Sequence, residues 1–149
     1  MREILFRAKR LNNGEWVEGN LVFSLDADEE WRAIIIPIKN SYMFSSGNED
    51  EDLGFENWYR VDPNTVCQYT GLTDKNGVKI FEGDIVRSIS MYDKSNMVVI
   101  FEDGEFRMVL CEKYKEYIPG CVFYAIRCFD KEVIGNIFEN HELLKGGAK

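Results

Sequence analysis

The chain has 149 residues, 45% of them hydrophobic and 13% aromatic, with a formal net charge of −8. That size suits one compact domain, or two small ones, with a packed interior, and the composition excludes global disorder. No apolar run approaches the ~20 residues of a membrane helix, and "MREILFRAKR" lacks an apolar stretch of signal-peptide length, so a cytoplasmic location and no membrane partner are expected.

In chain order, "EILFRAK" alternates weakly and "NNG" at residues 12–14 is a turn, because Asn and Gly tolerate positive φ. "EWVEGNLVFSL" reads as a returning strand interrupted at Gly19, which makes an N-terminal hairpin. After the polar "DADEE", the run "WRAIIIPIK" is apolar enough for a strand buried on both faces, and Pro37 places its end or a sheet edge there. "SSGNEDEDLG" carries four consecutive acids and reads as a loop. Asp62-Pro63-Asn64 is a turn, since proline sets φ and Asx side chains bond locally.

The central "VCQYTGLTDKNGVKIFEGDIVRS" alternates strands with turns. "CQYTGL" and "VKIF" flank Asn76-Gly77, a strong hairpin signal, with Val78 and Ile80 expected on one face. "EGD" at residues 82–84 is a second tight turn into "IVRSIS". "MVVIF", the turn "EDG" at residues 102–104, and "EFRMVL" form a further hairpin. "CEKYKEYIPG" fits a short helix or a loop, "CVFYAIRCF" and "DKEVIGNIF" read as strands, and "ENHELLKGGAK" as a helical turn with Asn140 as N-cap. Short strands with a turn signal about every ten residues make the chain mostly β, with few short helices. The expected core is Val78, Ile80, Ile85, Val86, Val98, Ile100, Phe106, Met108, Phe123, Ile134 and Ile137.

Charge is unevenly spread. Positions 26–56 hold nine acids (Asp26, Asp28, Glu29, Glu30, Glu49, Asp50, Glu51, Asp52 and Glu56) against Arg32 and Lys39, a net −7. Such a stretch suits solubility, a basic protein partner, or imitation of a phosphate backbone, and it disfavours nucleic acid as a partner.

Catalytic signatures are weak. Asp74, Glu82 and Asp84 could pair as acid and base or hold a cation, but turn chemistry explains Asp74 and Asp84 better. The spacing around Gly71 and Gly77 is not that of a phosphate loop, since Val78 and a strand follow. His141 reads as a surface residue, and Cys67, Cys111, Cys121 and Cys128 form no C-x-x-C pair and read as small apolar side chains. No catalytic, cofactor or metal residues are assigned, and an enzyme is not expected. "NWYR" at residues 57–60 is the best exposed cluster, because it follows the acidic stretch, and Trp, Tyr and Arg are enriched at interface hot spots; the equal alternative is that Trp58 closes one end of a small barrel. The candidate partner-binding residues are Trp58, Tyr59 and Arg60, with Glu49, Asp50, Glu51 and Asp52 beside them.

Three segments, "REILFRAK", "VCQYTGLTDKNGVKIFEGDIV" at residues 66–86 and "EVIGNIFENHELL" at residues 132–144, resemble the YopX family of phage and prophage proteins. The resemblance spans the chain ends and centre; the acidic stretch matches no family motif. It implies N-terminal strands over residues 1–65 packed on an SH3-like barrel over residues 66–149, within a bacterial host cell. It carries no catalytic or ligand-binding residues. "EGDIV" is also similar to the start of the first strand in SH3-like barrels that bind nucleic acid, an analogy of fold alone. The expected function is a non-enzymatic accessory protein that binds another protein or itself. A nucleic-acid-associated module and an acidic DNA mimic that inhibits a host protein are the alternatives.

Overall fold

The computed structural model describes residues 1–39, 41, 43–45, 53–89, 94–116 and 122–145. Gly47, Glu49, Asp50, Glu51, Asp52 and Cys121 lie outside them. The chain divides into two compact units, Met1–Gln68 and Tyr69–Lys149. Strands dominate both, as the turn spacing requires, and among the described residues no helix is long and apolar enough to cross a membrane.

The first unit contains β1 (Phe6–Lys9), β2 (Trp16–Phe23), β3 (Ala33–Pro37), β4 (Met43–Ser45), β5 (Leu53–Phe55), β6 (Tyr59–Arg60) and the start of β7 (Cys67–Thr73). Its main ladder runs β6-β3-β2-β1, and β4 pairs with β5. Pro37 ends β3, where a missing N–H donor costs least. β2 is not interrupted at Gly19. It runs through that residue because Gly19 lies opposite Pro37, and a Cβ there would overlap the backbone of Ile36. A single bridge, Arg10 to Val61, joins the end of β1 to the residue after β6 and links the two ends of the ladder. Ala8, Ala33, Ile35 and Val61 are fully buried inside it, packed by Phe6, Val17, Leu21 and Val66. At the base, the 3-10 helix Pro63–Thr65 is capped by Asp62, whose carboxylate accepts the Asn64 N–H at 2.9 Å. Thr65 Oγ1 accepts the Lys9 N–H at 2.8 Å and donates to the Asp62 carbonyl at 2.8 Å.

In the second unit the end of β7 pairs with β8 (Lys79–Phe81). Then come β9 (Asp84–Ser88), β10 (Asn96–Glu102), β11 (Glu105–Leu110), α1 (Cys111–Tyr114), β12 (Tyr124–Ala125) and β13 (Lys131–Asn136), ending in a 3-10 helix at His141–Lys145. The five strands from β9 onward form one antiparallel sheet in the order β12-β11-β10-β9-β13. A meander whose last strand returns to the first is the order expected of an SH3-like barrel. Among the described residues, however, β12 and β13 are not paired, so the sheet stays open and no barrel closes.

β9 and the Met97–Val99 part of β10 are buried on both faces. Ile80, Val86, Met97, Val99 and Met108 form one core cluster, and Ile85, Val98, Cys111 and Leu144 another. Of the expected core, Ile80, Ile85, Val86, Val98 and Met108 are buried, and Ile100, Ile134 and Ile137 pack against the second cluster. Phe106 and Phe123 are only half-buried.

Val78 is 48% exposed, contrary to expectation. It precedes β8 in the hairpin loop, where its N–H is held by Asp74 Oδ1 at 2.9 Å, so the alternation of β8 does not extend back to it. Of "CVFYAIRCF", the described residues 122–129 hold the two-residue β12 followed by turns, with Phe129 at φ +63°. Asn140 directly precedes the last helix and its carbonyl accepts the Leu143 N–H at 3.0 Å, while its side-chain Oδ1 accepts the Asn136 N–H at 3.1 Å.

The turn signals hold. Gly77, Gly83 and Gly104 have φ of +79°, +81° and +80°. Asp103, at φ +51°, and Gly104 form the two-residue loop between the paired Glu102 and Glu105, the geometry that matches strand twist.

Candidate functional site

Trp58, Tyr59 and Arg60 lie at one edge of the first unit's ladder. β6 pairs with β3 through Ile34↔Arg60 and Ile35↔Tyr59. Alternation along β3 sends Ala33 and Ile35 into the core and leaves Ile34 and Ile36 on the opposite face. The β2 register puts Val22 opposite Ile34, so Val22, Ile34 and Arg60 share that second face.

The face is hollowed rather than flat. A cavity of about 400 Å³ is lined by Val22, Ser24, Trp31, Ile34, Ile36, Gly54, Phe55 and Trp58. Trp31 reaches it from a 3-10 helix at Glu29–Trp31. Its ring centre is 5.9 Å from that of Trp58 at a 45° tilt, a favourable aromatic geometry. Yet Trp31 stays 48% exposed and Trp58 43%. Arg60 lies over the Trp31 ring at 4.7 Å, and its Nη1 is 3.2 Å from Glu30. The ion pair is exposed and is worth little in stability by itself. Its effect is to hold the guanidinium over the indole. A second hollow of about 290 Å³ adjoins Trp58 and is lined by Arg10, Leu11, Asn12, Trp58, Tyr59 and Arg60.

Trp58, Tyr59 and Arg60 are thus brought together as expected from the sequence. The sequence reading missed Trp31, Val22, Ile34, Ile36 and Arg10. Their signal lay in the half of each strand's alternation that points away from the core, which is visible only once the β2–β3–β6 register is known.

The carboxylates of the central motif do other work. Asp74 Oδ1 accepts the N–H groups of Asn76 at 2.8 Å and Val78 at 2.9 Å, and its Oδ2 accepts that of Val133 at 3.0 Å. Burial pushes its pKa up, but the three backbone donors and Lys75 outweigh that and hold it below the ordinary value. Asp84 Oδ2 accepts the Phe81 N–H at 2.8 Å. Both residues are turn and loop anchors. Among the described residues no group of three or more His, Cys, Asp or Glu is placed to hold a metal ion.

His141 is exposed, whereas Cys67 and Cys111 are buried. Burial pushes the Cys111 thiol up to about 11, the state of an inert apolar side chain. Lys131 is buried as well; burial lowers its pKa, and its Nζ donates to the Phe129 carbonyl at 2.7 Å.

Fold and surface together define a mostly-β protein of two antiparallel-sheet units, with an aromatic and arginine-bearing surface on the first. The family model described as YopX protein matches residues 5–145, and the chain belongs to the YopX family. Its fold is similar to that of protein EF1440 from Enterococcus faecalis, a crystal structure. The identity is 26% and the TM-score 0.58, over 97% of this chain and 99% of that one. No curated protein matches the chain.

Proposed function

We propose that this chain is a non-enzymatic accessory protein, of the phage or prophage kind that its family resemblance implied, and that it works by binding another protein. The observation that carries the reading is the hollow around Trp31 and Trp58: two indoles, each close to half exposed, over an apolar floor of Val22, Ile34 and Ile36. Large aromatics that stay exposed beside a ready-made hollow are the usual anchors of an interface. The second copy of a self-associating chain is one form of that partner. A nucleic-acid partner is disfavoured by the −8 net charge, which opposes phosphate binding.

The test is capture from a bacterial host lysate, with and without nuclease treatment, using the immobilised chain beside its Trp58→Ala variant. Trp58 is exposed enough that truncation leaves the fold intact, which a thermal melt verifies. A stoichiometric protein retained by the parent chain and lost by the variant supports the reading. Equal retention by both, or recovery of nucleic acid alone before nuclease, overturns it.

A further inference from the structure

The smaller hollow beside Trp58 has a chemistry that the apolar one lacks. Arg10 and Arg60 both line it, together with Asn12, although the first unit carries thirteen acidic residues against seven basic ones.

Arg10 is the informative residue. Its backbone is fixed by the bridge to Val61, by its N–H donated to the Glu15 carbonyl at 2.9 Å, and by its carbonyl accepting from Gly14 at 2.9 Å. Its guanidinium carbon sits 4.0 Å from the centre of the Tyr59 ring, which packs one face of the group. The side chain is only 24% exposed, and its one carboxylate contact among the described residues, Glu15, is at 4.0 Å, beyond hydrogen-bonding reach. Its Nε is enclosed and has no acceptor among the described residues.

An oxyanion in the hollow meets the part of the Arg10 side chain that stays exposed, not the enclosed Nε, and the planar fork of a guanidinium matches one that offers two oxygens. Arg60 has further capacity, since Glu30 contacts only its Nη1 among five N–H donors.

We propose that this hollow binds a carboxylate of the protein partner, next to a large apolar side chain that enters the hollow on the other side of Trp58. The inference rests on reading the Trp58 surface as the docking face. A carboxylate is favoured over phosphate because Glu15 and Glu30 stand beside the two arginines. A singly charged group meets less repulsion there than a doubly charged one, and the chain's −8 charge adds to that difference. The carboxylate comes from an Asp or Glu side chain or from a free C-terminus, and the two sources are separable.

The probes are four: acetyl-Gly-Ser-Glu-Phe-amide, acetyl-Gly-Ser-Gln-Phe with a free C-terminus, acetyl-Gly-Ser-Gln-Phe-amide, and phenyl phosphate. Each is titrated into the isotope-labelled full chain while the arginine Nε–H and tryptophan indole resonances are followed. At least one carboxylate peptide is expected to shift the Arg10 and Trp58 signals and to bind about tenfold or more tightly than the uncharged amide. Whichever of the two does so names the source. Arg10→Gln is expected to erase that preference, and Arg10→Lys, which keeps the charge but not the fork, to reduce it. If Arg10→Gln does not fold, Arg60→Gln carries the comparison. Equal binding of acid and amide peptides, tighter binding of phenyl phosphate, or no saturable shift with any probe overturns the proposal. A partner that is lost on Trp58→Ala but fully retained on Arg10→Gln overturns the carboxylate site and leaves the docking face standing. A partner retained on both sinks the docking face itself.

Discussion

The carboxylate of Asp74 accepts the backbone N–H of Val133, 59 residues further along the chain, at 3.0 Å. Its other oxygen holds the hairpin loop through Asn76 and Val78. One side chain that is 8% exposed therefore shapes the β7–β8 loop and ties it to β13. Lys75 repeats the tie twice, donating its N–H to the Lys131 carbonyl at 3.1 Å and pairing its Nζ with Glu132 at 3.2 Å. Asp74→Ala removes the charged acceptor and orphans N–H groups in a partly buried position, at an expected cost of about 3 kcal/mol. Urea denaturation measures it. A loss under about 1 kcal/mol would mean that the Asn76-Gly77 turn holds the loop unaided.

The same carboxylate makes stability depend on acid. Its folded pKa lies below its unfolded one, since the backbone donors favour the charged form. The contribution is therefore complete above the unfolded value of about 4 and is lost as pH falls through the lower folded value. The melting-temperature gap between the parent chain and Asp74→Asn should be constant from pH 7 to about pH 5 and narrow below about pH 4. A gap that does not change with pH would show that the carboxylate acts by shape alone.

Local geometry was legible where a residue type has few alternatives. Gly77, Gly83 and the Asp103-Gly104 pair sit at positive φ, which glycine and Asx tolerate, and they were readable as turns without knowing their partners. Asp74 and Asp84 were readable as turn acceptors for the same reason. Long-range pairing was not legible. Nothing local tells β13 to lie beside β9, or Val22 to meet Ile34. Trp58 stood out by type, but its companions Trp31, Val22 and Arg10 depend on that register. Val78 shows the opposite error: an alternation real for β8 was extended one step into a loop governed by Asp74.

Gly83 and Gly104 share a positive φ but differ in surroundings. Gly83 is buried, with its N–H donated to the Val99 carbonyl at 2.8 Å and its carbonyl accepting from Ile137 at 2.9 Å. A Cβ on Gly104 meets nothing within 4 Å. Gly104→Ala should thus carry only the backbone penalty of about 1 kcal/mol, and Gly83→Ala about 3 kcal/mol, because its strained φ is added inside a buried turn held by two backbone hydrogen bonds. Denaturant midpoints of the two variants decide this, and equal costs would show that burial at Gly83 adds nothing.

Gly19 tests the other unit, and there φ is not the issue. A Cβ at this position overlaps the Ile36 carbonyl and approaches Pro37 Cα to 2.8 Å, both of them backbone atoms. Gly19→Ala must push β2 away from β3, at an expected cost of about 3 kcal/mol. The same shift disturbs the floor of the Trp31–Trp58 hollow, to which β2 and β3 contribute Val22, Ile34 and Ile36. Indole fluorescence should change together with stability. A variant as stable as the parent would show that the strands have room to separate.

Burial of Cys111 sets its reactivity. With its pKa pushed up to about 11, about one thiol in a thousand is ionised at pH 8, and the side chain is 3% exposed. Cys67 is shielded equally well at 2% exposed, while Cys128 is only half-buried. Iodoacetamide applied to the native chain at pH 8 should label Cys128 and leave Cys67 and Cys111 untouched until denaturant is added. Peptide mass spectrometry at timed intervals reads this directly. Native labelling of Cys111 at the rate of Cys128 would show that α1, which begins at Cys111, opens readily from the β10–β11 face it covers.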